Sequence, residues 1–190
     1  MTHKEATKRF YAHVWPLRAM LLRTATFLAQ SATDAEDLVQ ETLMKAFRAI
    51  DTFDVTTNAQ PWLTAILRNT RIDRARAAGR TPGGRDAVSL DQAELDVPAL
   101  PSADLDAPTI AATLESFSDQ IIISALKRLP EEIRWTLMLV DVQQLDYQQA
   151  AKILEIPPGT VKSRLHRGRL MLKDDLLKSA PREKIGRGVS

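Results

Sequence analysis

The sequence predicts an all-α protein built as two small helical domains joined by a flexible acidic linker. Three observations predict it. Apolar residues recur at three- and four-residue spacing through two long stretches, and no alternating β pattern runs for more than a few residues. Between those stretches, residues 81–117 contain Pro82, Pro98, Pro101 and Pro108 and are too polar to bury a core. Charge follows the same division. Residues 1–85 carry 13 basic and 8 acidic side chains, residues 86–126 carry 8 acidic and none basic, and residues 127–190 carry 13 basic and 8 acidic, which sums to the net +2. Two basic domains around an acidic strap suggest two surfaces for a polyanion.

Composition removes several function classes. The 190 residues include no cysteine, which excludes a disulfide scaffold, a Cys-ligated zinc site and a thiol nucleophile. His3, His13 and His166 are far apart and form no metal-ligand spacing, so no metal or cofactor is expected. No apolar run reaches the roughly 18 residues that span a bilayer, and the start, Met-Thr-His-Lys-Glu, leads into no apolar signal core. A cytoplasmic protein without membrane insertion is expected.

The first domain is expected over residues 1–80. Leu17, Leu21, Leu22, Ala25 and Leu28 form one apolar stripe. Thr33-Asp34-Ala35-Glu36 reads as a capping box for a helix with Ala35, Leu38, Val39, Thr42, Leu43, Ala46, Phe47 and Ile50 on one face. Residues 51–60 read as a loop, and Pro61 suits the first position of the next helix, where Trp62, Leu63, Ile66, Leu67 and Thr70 make the stripe. The linker, 81–117, allows a short helix near residues 91–95. The second domain is expected over 118–178, followed by a disordered basic tail, 179–190. It holds a helix through Ile121, Ile122, Ala125, Leu126 and Leu129, then one with Pro130 at its first position and Glu131 and Glu132 in its first turn. Asp146 with Gln149 marks another capping box, before Ala150, Ala151, Ile153 and Leu154, a turn at 155–158, and a last helix through Val161, Leu165 and Leu172.

Residues 146–169 carry the most information. They read as helix, tight turn, basic helix. Ala150 and Ala151 allow a close helix approach, and Lys162, Ser163, His166 and Arg167 share an outward face. In a helix-turn-helix that face enters the major groove, where Arg and Lys read guanine O6 and N7. Arg164 and Arg169 point elsewhere and suit phosphates. This stretch resembles the fourth conserved region of the extracytoplasmic function (ECF) sigma factors, group IV of the primary-sigma-like superfamily; Leu129-Pro130-Glu131-Glu132 and Leu139-Val140-Asp141 resemble the same region. The resemblance implies a domain that binds the −35 promoter element and the flap of the polymerase β subunit, with Lys162, Ser163, Arg164, His166 and Arg167 on the DNA. One residue departs from the pattern: Glu155 stands in the turn where family members have glycine. At φ > 0 a glutamate costs roughly 1–2 kcal/mol more than glycine.

Asp34-Ala35-Glu36-Asp37-Leu38-Val39-Gln40-Glu41-Thr42 is similar to the second conserved region of the same family, which docks on the β′ clamp helices of core RNA polymerase. The resemblance places core binding on Asp37, Leu38, Gln40 and Glu41; Asp37, Gln40 and Glu41 share a polar face that offers acceptors to partner arginines. Phe53 through Asn69 resembles the part that melts and reads the −10 element, with one non-template base flipped into the loop before the Trp-bearing helix. Extruding a base costs a few kcal/mol, so a rigid loop with hydrogen-bonding side chains is needed there. Asn58 or Gln60 would read base edges, with Asn69 from the helix below, while Trp62 reads as a core anchor. Arg68, Arg71, Arg74, Arg76 and Arg80 follow with only Asp73 against them, a density suited to a phosphate backbone.

Taken together, the resemblance implies a non-enzymatic factor that brings core polymerase to promoter DNA, regulated by an anti-sigma factor. Two other readings are a helix-turn-helix regulator that dimerises or senses through residues 1–80, and a sigma-mimicking decoy. The first leaves Asp34–Thr42 and the arginine-rich helix unexplained, and the intact basic face of the last helix argues against the second.

Overall fold

A computed structural model describes residues 2–79 and 119–179. The expectations for the linker, Arg80 and the tail from residue 180 lie outside the described residues. Those residues are all-α, as expected. In chain order the helices are α1 (His3–His13), α2 (Arg18–Leu28), α3 (Ala32–Arg48), α4 (Ala59–Ala77), α5 (Asp119–Arg128), α6 (Glu131–Leu137), α7 (Tyr147–Leu154) and α8 (Pro158–Ser179). Short 3₁₀ turns at Trp15–Leu17 and Ile50–Thr52 precede α2 and follow α3.

Helix α1 has no counterpart in the expected pattern, because its apolar stripe is thin and only Phe10 is buried. Its start is nonetheless encoded locally: the Thr2 hydroxyl accepts from the Glu5 amide, and the Glu5 carboxylate accepts from the Thr2 amide. Three other helix starts move. The cap of α3 is Ser31, not Thr33; Ser31 Oγ accepts from the Asp34 amide and the Asp34 carboxylate accepts from the Gln30 amide. Thr33 and Glu36 are exposed inside the helix. The cap of α4 is Asn58, whose Oδ1 accepts from the Gln60 amide at 2.9 Å, so Pro61 is the third helical residue and not the first. Proline is tolerated there because the first four helical N–H groups have no intrahelical partner. Likewise Pro130 caps α6 and Glu131 takes its first position. The expected Asp146–Gln149 capping box of α7 is present.

The helix begun by α6 ends in a π-helical turn, Met138–Val142, closed by the Gln143 amide on the Met138 carbonyl. The wider turn delivers Gln143 to the interior, where it is 6% exposed. After α7, Glu155 adopts φ 60°, ψ 40°, the left-handed conformation its place in the turn suggested.

The two halves share their cores. One cluster joins Leu21, Leu38, Leu63 and Leu67 of α2–α4 to Trp135, Leu139, Ile153 and Leu154 of the second half. A second gathers Ala125, Leu129, Ile133, Leu165, Leu172 and Leu176 of α5–α8 and takes in Phe27 of α2. Within the second half, α8 crosses α6 at Gly168. A Cβ built there would lie 2.7 Å from Ile133 Cγ2 and 3.1 Å from Leu137 Cδ1, both in buried side chains.

That crossing makes a testable case. In an open helix Gly→Ala stabilises by about 1 kcal/mol, but overpacking a filled core costs typically about 1–3 kcal/mol. Gly168→Ala is therefore expected to lower the urea midpoint; a raised midpoint would show that the α6–α8 contact has room.

Candidate nucleic-acid interface

On α3 the candidate docking residues divide by burial. Asp37 and Gln40 are exposed on one face, while Leu38 is 1% exposed and anchors the helix from beneath. Glu41 is engaged within the fold: its carboxylate accepts from Arg74 Nε at 2.7 Å and lies 3.2 Å from Lys45 Nζ. Lys45 also reaches Asp73 at 2.9 Å, and Arg74 lies 3.5 Å from Asp34. Arg74 thus ties α4 to α3. Partial burial pushes the Glu41 carboxyl up, but hydrogen bonds from Arg74 and Lys45 outweigh it and hold it below its ordinary value. The Lys45 hydrogen bond likewise holds Asp73 low, and the Asp73 contact raises Lys45.

The loop before α4 is exposed from Asp54 to Asn58 and ordered by its own side chains. Asp54 Oδ1 accepts from the Thr56 amide at 2.9 Å and the Thr56 hydroxyl at 2.7 Å, bonds that keep its carboxyl below the ordinary value. Below it, Trp62 packs on Phe53 with ring centroids 5.0 Å apart, the anchoring position expected for it. Asn58 spends its side-chain oxygen on the cap of α4. Asn69 and Arg76 are exposed.

The other three candidates on α4 face the second half. Gln60 Nε2 donates to the Gln143 carbonyl at 2.7 Å. Arg68 donates to the Leu154 carbonyl at 3.2 Å and lies 3.7 Å from the Glu155 carboxylate. Arg71 lies 3.6 Å from Glu131. Sequence spacing gave no sign of these pairings, because their partners lie 60 or more positions away.

On α8 the arrangement is the reverse. Lys162 and Ser163 are exposed, and His166 and Arg167 are half-buried beside them. Lys162 lies over the Tyr147 ring at 6.0 Å, which links the face to the start of α7. Arg164 is half-buried. Arg169 does not serve as the free phosphate contact expected of it: it forms a two-pronged pair with Asp141, Nη2 to Oδ1 at 2.7 Å and Nε to Oδ2 at 3.2 Å. That bond raises the guanidinium above its ordinary value and fixes α8 on the π turn. Val161 and Leu165, the inward partners of the basic face, are buried as expected. Among the described residues no group of three or more His, Asp or Glu side chains could hold a metal ion, and no helix is long and apolar enough to cross a membrane.

Residues 16–81 match the Sigma-70 region 2 family and residues 119–172 match Sigma-70, region 4. The ECF RNA polymerase sigma-E factor of Haemophilus influenzae is 32% identical over 146 residues, covering 77% of this chain and 76% of that protein. This chain belongs to the ECF sigma factors. The sigma-E factor of Salmonella typhimurium is 31% identical over 136 residues, 72% of this chain and 70% of its own. Among solved structures, the sigma factor RpoE in complex with the anti-sigma factor NepR from Bartonella quintana is similar, with a TM-score of 0.66, 30% identity, and coverage of 92% of this chain and 99% of that one. In this ECF sigma factor, region 2 falls on α2–α4 and region 4 on α5–α8, and α1 precedes the matched segment.

The Glu41–Arg74–Lys45–Asp73 network has a pH signature. Both carboxyls sit below their ordinary values of 4.5 and 3.8. A depressed folded-state value means stabilisation that is present above the unfolded value and lost as pH falls through the folded one. Arg74→Met is therefore expected to be less stable than the parent near neutral pH, with the gap closing as the pH falls through the lowered Glu41 value and that carboxyl becomes protonated in both proteins. Urea midpoints of the two proteins across that range check it, and a gap independent of pH would contradict it.

Proposed function

We propose that this ECF sigma factor is a non-catalytic promoter clamp, working in the cytoplasm where polymerase and promoters meet. Residues 1–80 dock core RNA polymerase and open the −10 element; residues 118–178 read the −35 element; residues 81–117 join them. The observation that carries the reading is the pair of surfaces on one chain: an exposed Asp37–Gln40 face on α3 and an outward Lys162, Ser163, His166, Arg167 face on α8.

Each residue has a physical task. Asp37 and Gln40 offer acceptors to arginines on a polymerase helix, with Leu38 holding the helix from within and Glu41 bracing it through Arg74. The Asp54–Asn58 loop presents polar groups to an extruded base without having to order itself first. Gln60, Asn69, Arg68, Arg71 and Arg76 follow it toward the separated strand, and Arg74 contributes through the bracing of α3 and α4. On α8, Lys162, Ser163, His166 and Arg167 face base edges, with Arg164 toward the backbone. That the similar Bartonella quintana sigma factor was solved with an anti-sigma factor supports control of this chain by such a protein.

Run-off transcription with core polymerase over a promoter library tests the reading. Initiation at a defined promoter is expected, and DNA binding without core-dependent initiation contradicts it. The two surfaces are separable. Arg167→Ala should weaken −35 binding by about 1–3 kcal/mol while leaving core binding unchanged, and Gln40→Ala should do the opposite in a core-binding titration. Equal effects of either substitution on both steps would contradict the assignment.

A further inference from the structure

Helix α1 turns outward a set of side chains that neither the fold nor the proposed clamp uses. Lys4, Lys8, Tyr11, Trp15 and Arg18 recur at spacings of four and three residues, which aligns them in one stripe along α1 and the turn after it. All five are exposed. Tyr11 is 57% and Trp15 45% exposed, although large aromatic rings are the side chains a fold gains most by burying. The opposite side of α1 is the one that packs, through Phe10 and, at its C-cap, Val14. We infer that the stripe is a stacking platform for a single nucleic-acid strand. Tyr11 and Trp15 take two bases, and Lys4, Lys8 and Arg18 take the phosphates beside them. The inference goes beyond the −10 and −35 assignments and rests on neither.

The rings are held in place before any ligand arrives. Tyr11 and Trp15 touch, with centroids 5.6 Å apart and planes at 52°, and both stay open to solvent. Phe10 backs them from below, 5.9 Å from Tyr11 and 6.5 Å from Trp15. Phe10 in turn stands edge-on to Phe47 of α3 at 5.3 Å. A platform fixed in this way loses little freedom when a base settles on it. The Arg18 guanidinium lies over the Trp15 ring at 5.9 Å, a cation–π contact that also sets a positive charge beside the indole.

Charge and residue type decide the occupant. Residues 1–33 contain five lysines and arginines and one carboxylate, Glu5. Glu5 is engaged in the capping box, where it accepts from the Thr2 amide and hydroxyl. Among the described residues no ion pair joins Lys4, Lys8 or Arg18 to a carboxylate. Cations interleaved with exposed rings match a strand in which every base has a π face and every phosphate a charge. A membrane-lying helix needs a broad apolar face turned outward, whereas Phe10 and Val14 point inward. Protein interfaces are depleted in lysine, which supplies two of the three cations here. A duplex presents base edges in its grooves, so stacking requires a single strand.

The position of α1 suits a strand that is already separated. Arg9 Nη2 donates to the Phe53 carbonyl at 2.6 Å, and the His13 ring lies 5.9 Å from the Phe53 ring. Phe53 directly precedes the Asp54–Asn58 loop. Arg9 and His13 lie on the side of α1 away from the stripe, so the platform stands about one helix diameter, roughly 10 Å, beyond that attachment. From Lys4 to Arg18 the stripe runs about 21 Å at 1.5 Å per residue, an extent suited to the roughly four nucleotides of the smallest single-strand sites. The region 2 match begins at residue 16, so Lys4, Lys8, Tyr11 and Trp15 all precede it.

The test titrates the full-length protein with mixed-sequence single-stranded DNA, the RNA of the same sequence, and the DNA as a duplex. Tyr11→Ala and Trp15→Ala are each expected to weaken single-strand binding about five- to hundredfold and to leave duplex binding unchanged. Tyr11→Phe and Trp15→Phe keep a ring and should retain the affinity. Trp15 is exposed, so a base stacked on it should quench its emission, and Trp15→Phe should bind without that quench. Lys4→Gln with Lys8→Gln should reduce the slope of log affinity against log salt by about 1.4. Urea midpoints of the alanine variants should match the parent, because both rings lie outside the core. Whichever strand, DNA or RNA, responds to the ring substitutions is the one the platform takes. Single-strand affinity unchanged in both alanine variants overturns the platform. If Asn69→Ala weakens binding in that case, the −10 reading stands without it. Poly-glutamate bound with the same dependence on Tyr11 and Trp15, or vesicles of phosphatidylglycerol bound in preference to either strand, also overturns it.

Discussion

A buried glutamine between two threonines organises this molecule. Gln143 joins Thr24 of α2 to Thr64 of α4, and its own carbonyl receives Gln60. Leu139, Ile153 and Leu154 of the second half share one apolar cluster with Leu21, Leu63 and Leu67 of the first. Hydrophobic burial supplies the attraction, but it is non-directional. The relay sets the register, because an unpaired amide in that interior would cost about 1–3 kcal/mol. The π turn is what places the glutamine: one wider turn after α6 carries residue 143 inward.

The arginines show how the same residue type is put to different work by what lies opposite. Arg74 and Arg169 are structural braces, each held by a carboxylate at 2.7 Å. Arg68 and Arg71 sit against the second half at longer range, 3.7 and 3.6 Å from their carboxylates, with Arg68 also donating to the Leu154 carbonyl. Arg167 stays with Lys162, Ser163 and His166 on the outer face of α8. A run of arginines is thus neither a uniform phosphate track nor a uniform solvated surface. Its members are divided residue by residue between bracing α3 against α4 and facing the second half.

The legible and illegible parts of this structure separate along a physical line. Helix interiors were legible because Leu21, Ala25 and Leu28, or Ala150, Ile153 and Leu154, are spaced for one buried face. The Asp146–Gln149 cap was legible because both partners lie within one turn. The positions of Ser31 and Asn58 as caps were not, since several Ser, Thr, Asn and Asp residues compete nearby and packing chooses among them. Helix α1 escaped because it buries too little to make a stripe. Most of all, nothing in sequence spacing linked Gln60 to Gln143 or Arg169 to Asp141, and the partners of Glu41 on α4 were equally hidden. The left-handed Glu155 was foreshadowed by the family's glycine; its carboxylate's partner was not.

The claim that the two halves form one body in the free protein is tested most directly by calorimetry of the full-length chain. A core shared through Gln143 predicts a single unfolding transition whose calorimetric and van't Hoff enthalpies agree. Two separate transitions, with the α5–α8 half melting independently of α2–α4, would contradict it.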